Sequence, residues 1–326
     1  MRCLITGAAG FVGSHLAERL LADGHEVCGI DGFIDYYPRS LKELNLAGPR
    51  SWKRFTFVEG NLRDIQLLPL VEGVDWIFHQ AAQAGVRASW GQEFARYVEC
   101  NVWATQRLLE TAVHHAKSLK RFVYASSSSV YGDTTALPVT EAVTPQPVSP
   151  YGVTKLAAEH LCTLYHRNFG VPTVSLRYFT VYGPRQRPDM AFHRFCKAVV
   201  TKQPIHLFGD GQQTRDFTYI SDVIEANLRA ATSHTAIGEV MNIAGGSRVT
   251  LQHVMQLLQE ISQSPISITF DTKQHGDVNH TFADTARARE IIGYRHLVSL
   301  REGLAKEFAY IDSLYGLMKN VQAAAA

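Results

Sequence analysis

Cysteine is scarce in this chain: Cys3, Cys28, Cys100, Cys162 and Cys196 are the only five in 326 residues, and no two form a Cys-x-x-Cys pair. Odd in number and scattered, they argue against a disulfide framework or a zinc site, and no metal is expected. An excess of either charge is also missing, since 32 Lys and Arg against 30 Asp and Glu leave +2. There is thus no chain-wide field to attract nucleic acid or an anionic membrane, so an anionic ligand must be held by local groups. No apolar run approaches membrane-spanning length, and the amino terminus enters a strand-like run without a basic, apolar, small-residue export signal. These absences lead us to expect a cytoplasmic protein with neither nucleic acid nor membrane as a partner. What is present, 46% hydrophobic and 19% charged residues, suffices for one large core or two moderate ones.

Short β-branched and aromatic runs at 3–6, 26–30, 55–58, 76–79, 122–125 and 174–176 read as strands. Helical periodicity fills 11–21, 93–115 and 153–169 between them. Strand and helix in alternation predict a parallel sheet covered on both faces, the doubly wound (Rossmann) α/β class. After Leu176 the rhythm changes, and 182–216 is rich in Pro, Gly and Arg. We therefore expect a smaller mixed α/β lobe interwoven with the first. The first lobe is assigned residues 1–180, with return segments at about 217–245 and 282–295. The second is assigned 181–216 and 246–281 plus 296–320.

Thr6-Gly7-Ala8-Ala9-Gly10-Phe11-Val12-Gly13 lies between the first strand and the first helix. There, Gly7, Gly10 and Gly13 permit a tight turn and close backbone approach, and the helix start at Phe11 and Val12 offers free amides to a pyrophosphate. Asp31, at the end of the second strand, can accept from both ribose hydroxyls and repels a 2′-phosphate, which favours NAD over NADP. Asn61 and Leu62 after the third strand, and Ala81, Ala82 and Gln83 after the fourth, fall where such a sheet presents its ligand crevice. Asn101 is a polar residue within a long helical pattern.

Ser149-Pro150-Tyr151-Gly152-Val153-Thr154-Lys155 reads as a capped helix start with Tyr151 and Lys155 one turn apart on one face. A neighbouring ammonium favours phenolate and moves a tyrosine toward use as a general base. The serine run 126–129 ends the strand before it.

The glycine triplet, Asp31, the serines before Val130-Tyr131-Gly132 and the Tyr151/Lys155 pair together resemble the extended short-chain dehydrogenase/reductase family. Arg177-Tyr178-Phe179, Gly209-Asp210-Gly211 and Arg215-Asp216-Phe217 are similar to its sugar-nucleotide lobe, so the resemblance covers nearly the whole chain. It implies a catalytic set of Ser127, Tyr151 and Lys155. It also implies that Asn101 and Tyr178 support an NAD site, with Arg215 on the nucleotide diphosphate and Asp277 by its ribose. An arginine common before that Gly-Asp is absent here, where Lys273, Gln274 and His275 stand. Within the family, the stretches 178–191 and 80–87 look most like UDP-glucuronic acid 4-epimerases, which implies isomerisation of a UDP-sugar at carbon 4 by a homodimer. Arg187 is then the expected fork for the sugar carboxylate, with Ser128, Ser129 and Thr180 as hydroxyl donors and Arg87 as a further cation. Related decarboxylases carry Glu at the position of Ser129. A neutral UDP-hexose 4-epimerase is the nearest alternative, a UDP-glucuronic acid decarboxylase the next, and a non-catalytic dinucleotide sensor a third.

Overall fold

The computed structural model describes residues 1–115, 118–272 and 274–324. Its strands are β1 (Arg2–Thr6), β2 (Glu26–Asp31), β3 (Phe55–Glu59), β4 (Trp76–His79), β5 (Arg121–Ser127), β6 (Thr173–Tyr178), β7 (Val181–Tyr182), β8 (Ile205–Phe208), β9 (Thr214–Asp216), β10 (Thr218–Tyr219), β11 (Val240–Ile243), β12 (Arg248–Thr250) and β13 (Ile268–Asp271). The helices are α1 (Phe11–Ala22), α2 (Arg39–Arg50), α3 (Leu68–Val71), α4 (Phe94–Tyr97), α5 (Ala104–Val113), α6 (Pro150–Phe169), α7 (Ala191–Val200), α8 (Ile220–Thr232), α9 (Leu251–Ser262), α10 (Ala286–Ile292) and α11 (Leu300–Ala324).

Seven strands form one parallel sheet in the order β11-β6-β5-β4-β1-β2-β3. All six expected strands are in it, and 240–243 joins it as expected. Successive side chains of its central strands point to opposite faces, so each strand feeds two cores. Cys3 and Ile5 pack on one side while Leu4 packs on the other. Phe122 and Tyr124 likewise share the second core, with Val123 in the first. The strand order reverses between β1 and β4, which opens a crevice at their carboxyl ends.

The remaining strands pair in twos, β7 with β10, β8 with β13 and β9 with β12. The core behind Ile5 and Leu16 runs on without a break into Ile205, Leu207, Val254 and Leu304. The sheet and the later elements therefore share one continuous apolar core.

Two local differences from the sequence reading have physical causes. The helix expected at 93–115 is interrupted by a π segment, Val98–Trp103, between α4 and α5. It carries Asn101, whose buried side chain bonds outside the helix. Helix α2 shows no apolar stripe in the sequence because the face it buries, Lys42, Asn45, Leu46 and Pro49, is half polar.

The glycine turn is sterically closed. Gly7 has a φ of 70°, and a Cβ on Gly13 would lie 2.2 Å from the Gly7 carbonyl oxygen. Replacing Gly13 with Ala must push the first turn of α1 off β1, and the expected cost is about 1–3 kcal/mol. Thermal unfolding of the Gly13→Ala protein should show a lower midpoint; an unchanged midpoint would mean the turn tolerates a methyl group.

Candidate active site

The crevice is a cleft of about 610 Å³. Of the residues read from the sequence as cofactor, substrate or catalytic groups, all but Asn101 line it. At one end, α1 begins at Gly10 without a side-chain cap, so its first amides face the cleft. Asp31 is held as an acceptor, taking hydrogen bonds from Ala9 N at 3.1 Å and Phe33 N at 2.9 Å. Burial raises its pKa, opposed by those amides and by Lys42. An uncapped helix start over a glycine turn, followed by a fixed carboxylate one strand away, fits a dinucleotide's diphosphate and ribose.

The floor of this end is braced from below. Buried His79 is hydrogen-bonded to Thr6 Oγ1 at 2.7 Å and Thr105 Oγ1 at 2.8 Å, and Ala81 N donates to Thr6 Oγ1 at 3.1 Å. Burial, and then the Lys155 charge, push the His79 pKa down to about 3, so it stays neutral. Asn101 sits behind the cleft. It accepts from Gln83 N at 2.7 Å, and donates to Gln83 O at 3.0 Å and to Thr154 Oγ1 at 2.9 Å. It thus ties the Ala81–Gln83 loop to α6.

At the centre, β5 delivers Ser127 and the start of α6 delivers Tyr151 and Lys155. Ser149 caps α6 as expected, its Oγ accepting from Gly152 N at 3.1 Å. A Cβ on Gly152 would lie 2.5 Å from Ser129 O, so only glycine lets the helix meet the serine turn this closely. Ser127 lies close enough to the Tyr151 hydroxyl to favour its ionised form, and its Oγ accepts from Ser129 N at 3.2 Å.

Burial raises the Tyr151 pKa, partly offset by Ser127 and by the Arg187 charge. Burial also pushes Lys155 down to about 7. The Lys155 ammonium lies 4.6 Å from the centre of the Tyr124 ring. An added anion or cation in the cleft would alter this balance, since both groups are enclosed.

Behind this centre lies a buried ion pair. Arg177 donates to both Glu159 oxygens, from Nε at 3.0 Å and Nη2 at 2.6 Å. Ser126 Oγ donates to Glu159 Oε2 at 2.6 Å, and Arg177 Nη1 donates to the Tyr131 hydroxyl at 2.7 Å. Tyr178, next in sequence, shares hydrogen bonds with Asn227 and Gln80.

The far end is rich in arginine. Arg187 lies in the cleft near Tyr151, but two of its nitrogens already contact Asp189. Arg87 pairs with Asp277 at 2.7 Å and stacks 4.0 Å from the Phe208 ring centre. Arg215 donates to the Val278 and Asn279 carbonyls, at 2.8 and 3.1 Å. Lys273 lies outside the described residues. Gln274 donates to Thr272 O and does not line the cleft. Arg194 on α7, unread from the sequence, lies 5.4 Å from the Phe208 ring centre and lines this end; Tyr36 and Lys42, also unread, line the cleft from the side of β2 and Asp31, and Asp189 lies beside Arg187. Asp189 falls within the quoted stretch 178–191 and Arg194 just beyond it, whereas Tyr36 and Lys42 carried no sequence signal. Among the described residues, no group of three or more His, Cys, Asp or Glu is placed to hold a metal, and no helix is long and apolar enough to cross a membrane.

A switch-point crevice with a glycine turn at one end, a Ser–Tyr–Lys centre and an arginine-rich far end defines a dinucleotide-dependent enzyme of the short-chain dehydrogenase type. The chain belongs to the NAD dependent epimerase/dehydratase family, which it matches over residues 3–244. It is 49% identical over 316 residues to an uncharacterised UDP-glucose epimerase, YtcB, of Bacillus subtilis, covering 97% of this chain and 99% of that protein. With the UDP-glucuronate 4-epimerase of Thermodesulfobacterium geofontis it shares 33% identity over 324 residues, 98% of each chain. The solved structure of UDP-glucuronic acid 4-epimerase from Bacillus cereus, in complex with UDP-glucuronic acid and NAD, matches with a TM-score of 0.94 at 45% identity. That match covers 97% of this chain and all of that one.

The Lys155 burial has a pH consequence. Its folded pKa, about 7, is below the ordinary lysine value of 10.5, so between them the unfolded chain binds more protons and stability rises with pH. Below the folded value the full penalty is present. Lys155→Met should therefore be more stable than the unsubstituted protein, and the gain should shrink from about pH 6 to about pH 9. Denaturant unfolding at the two pH values, without added nucleotide, reads this directly. A gain that grew with pH would contradict it.

Proposed function

We propose that this protein is an NAD-dependent 4-epimerase that converts UDP-glucuronic acid to UDP-galacturonic acid without losing carbon dioxide. In this reading residues 1–180, with about 217–245 and 282–295, hold the dinucleotide, and 181–216, 246–281 and 296–320 hold the UDP-sugar. Gly7, Gly10 and Gly13, with the Phe11 and Val12 amides, would carry the NAD diphosphate. Asp31 would take its ribose, and Asn61, Leu62, Ala81, Ala82, Gln83 and Tyr178 would line its course. Bound NAD supplies a hydride acceptor that returns the hydride in the same cycle.

The chain's own residues handle the proton. Tyr151, as phenolate hydrogen-bonded to Ser127, takes the proton of the sugar 4-hydroxyl while carbon 4 gives up hydride, leaving a 4-keto sugar. Lys155 supplies positive charge beneath it when protonated. After the keto sugar turns in the cleft, hydride returns to the opposite face and Tyr151 gives its proton back, so configuration inverts with no net redox change.

The observation that carries the acidic substrate is Arg187, close enough to bias Tyr151 titration and set in the same cleft as Ser128, Ser129 and Thr180. A 4-keto uronic acid is a β-keto acid, and loses carbon dioxide readily once its carboxylate bond aligns with the carbonyl π system. A guanidinium on the carboxylate restrains that alignment. Arg215 would meet the diphosphate and Asp277, with its partner Arg87, the nucleotide ribose.

Purified protein given UDP-glucuronic acid and no added NAD should form UDP-galacturonic acid; UDP-xylose or a 4-keto pentose as the main product would overturn the reading. Tyr151→Phe should lower turnover by about 100-fold or more, and Arg187→Ala should raise KM or leak decarboxylated product. Faster turnover of UDP-glucose than of the acid would instead favour the neutral epimerase.

A homodimer belongs to the same proposal. Val153 and Leu164, eleven residues apart on one face of α6, are 47% and 52% exposed, and Trp103 beside α5 is 49% exposed. Helices α5 and α6 pack together, so a second copy seated there would form a four-helix contact. Leu164→Glu should shift the sedimenting species from dimer to monomer; an unchanged mass would place the interface elsewhere.

A further inference from the structure

Arg187 is already engaged on one edge. Its Nε and Nη2 each donate to a different Asp189 oxygen at 2.9 Å, a side-on pair between residues two apart in sequence. Asp189 Oδ2 also accepts from the Tyr36 hydroxyl at 3.2 Å. Tyr36 comes from the loop after β2, on the glycine-turn side of the cleft. The Arg187 guanidinium carbon lies 5.8 Å from the Tyr36 ring centre, and all three residues line the cleft. The proton and hydride steps above use neither Asp189 nor Tyr36.

A guanidinium carries five N–H donors in a rigid plane, and a side-on carboxylate occupies Nε and one hydrogen of an Nη. The edge formed by Nη1 and the other Nη2 hydrogen is left for a ligand. Asp189 therefore fixes which edge Arg187 presents, and it offsets much of the positive charge behind that edge. A sugar carboxylate approaching it meets oriented donors on a nearly neutral pair. A hydroxymethyl group meets the same donors with little electrostatic disadvantage. Although burial opposes it, Arg187 and Tyr36 together hold the Asp189 carboxyl below its ordinary range, so it is ionised at neutral pH.

We propose that Asp189 is a positioning residue that, acting through Arg187, sets how strongly the site prefers an acidic carbon-6 group to a neutral one. It also keeps the grip on that group loose enough for the keto sugar to turn. The inference rests on the carboxylate role of Arg187 proposed above. A lone, uncompensated guanidinium would bind the acid more tightly and hold it in one orientation, which raises affinity at the expense of the turn.

Asp189→Asn removes the charge and retains most of the shape. Calorimetric titration of the NAD-loaded protein with UDP-glucuronic acid and with UDP-glucose measures the preference without requiring turnover. The Asn variant should bind the acid about 5–10-fold more tightly and the neutral sugar within about twofold of the unsubstituted protein. Its kcat on the acid should fall while KM falls too. Equal changes in both affinities, or no change in either, would overturn the proposal. Asp189→Glu, which restores the charge, should keep the acid-to-neutral ratio near that of the unsubstituted protein, and a shift as large as that of Asn would also overturn it. Because affinity is read apart from catalysis, a protein that binds both sugars but epimerises neither would count against the proposed reaction and leave this comparison decisive.

Discussion

The site depends on the buried Arg177–Glu159 pair. Glu159 is on α6, one turn beyond Lys155 and two beyond Tyr151; Arg177 is in β6, beside Tyr178; and Ser126, which also bonds Glu159, precedes Ser127 in β5. One bidentate contact therefore fixes the mutual position of two strand ends and the helix that together present the centre. Side chains on both sides of the pair are nearly excluded from water, with 6% and 3% exposure. Losing either partner would strand a buried charge at a cost of about 3–5 kcal/mol. The Ser127–Tyr151 contact inherits its alignment from this pair and from the close approach that Gly152 permits.

Around that anchor, the parallel sheet does the sorting. Reversal of strand order between β4 and β1 leaves the crevice open where the glycine turn and the Ala81–Gln83 loop meet. The same loop is held from behind by Asn101 and Thr6, so the wall of the dinucleotide end and the register of α6 are mechanically one unit. The π segment that carries Asn101 is part of this arrangement, since it lies where the side chain must leave the helix to reach Gln83 and Thr154.

Charge in the cleft is handled locally, as a chain of net charge +2 requires. Arg87 faces Asp277, and Arg187 faces Asp189, while Lys42 acts on Asp31. Three of the cations that line the cleft thus have an acidic partner beside them, while Arg215 is held by backbone carbonyls. Recognition then depends on which N–H edges are left and how they point, more than on net positive potential.

Much of the frame was legible in the sequence. Short continuous apolar runs alternating with helical patterns, and a glycine turn between strand and helix, point to a doubly wound sheet, because a parallel sheet covered by helices buries both faces of such strands. The Tyr151–Lys155 spacing and the Ser149 cap are local, so the helix start and the shared face followed from the sequence alone. The tertiary structure decided what depends on distance across the chain. It paired Glu159 with Arg177 and hid Asn101 behind the cleft. It turned one edge of Arg187 toward Asp189 and Tyr36, and brought Arg194 and Phe208 to the same end as Arg215. It also enclosed both members of the centre, and burial raises the Tyr151 pKa and lowers that of Lys155, an effect of the surrounding packing that no linear spacing contains.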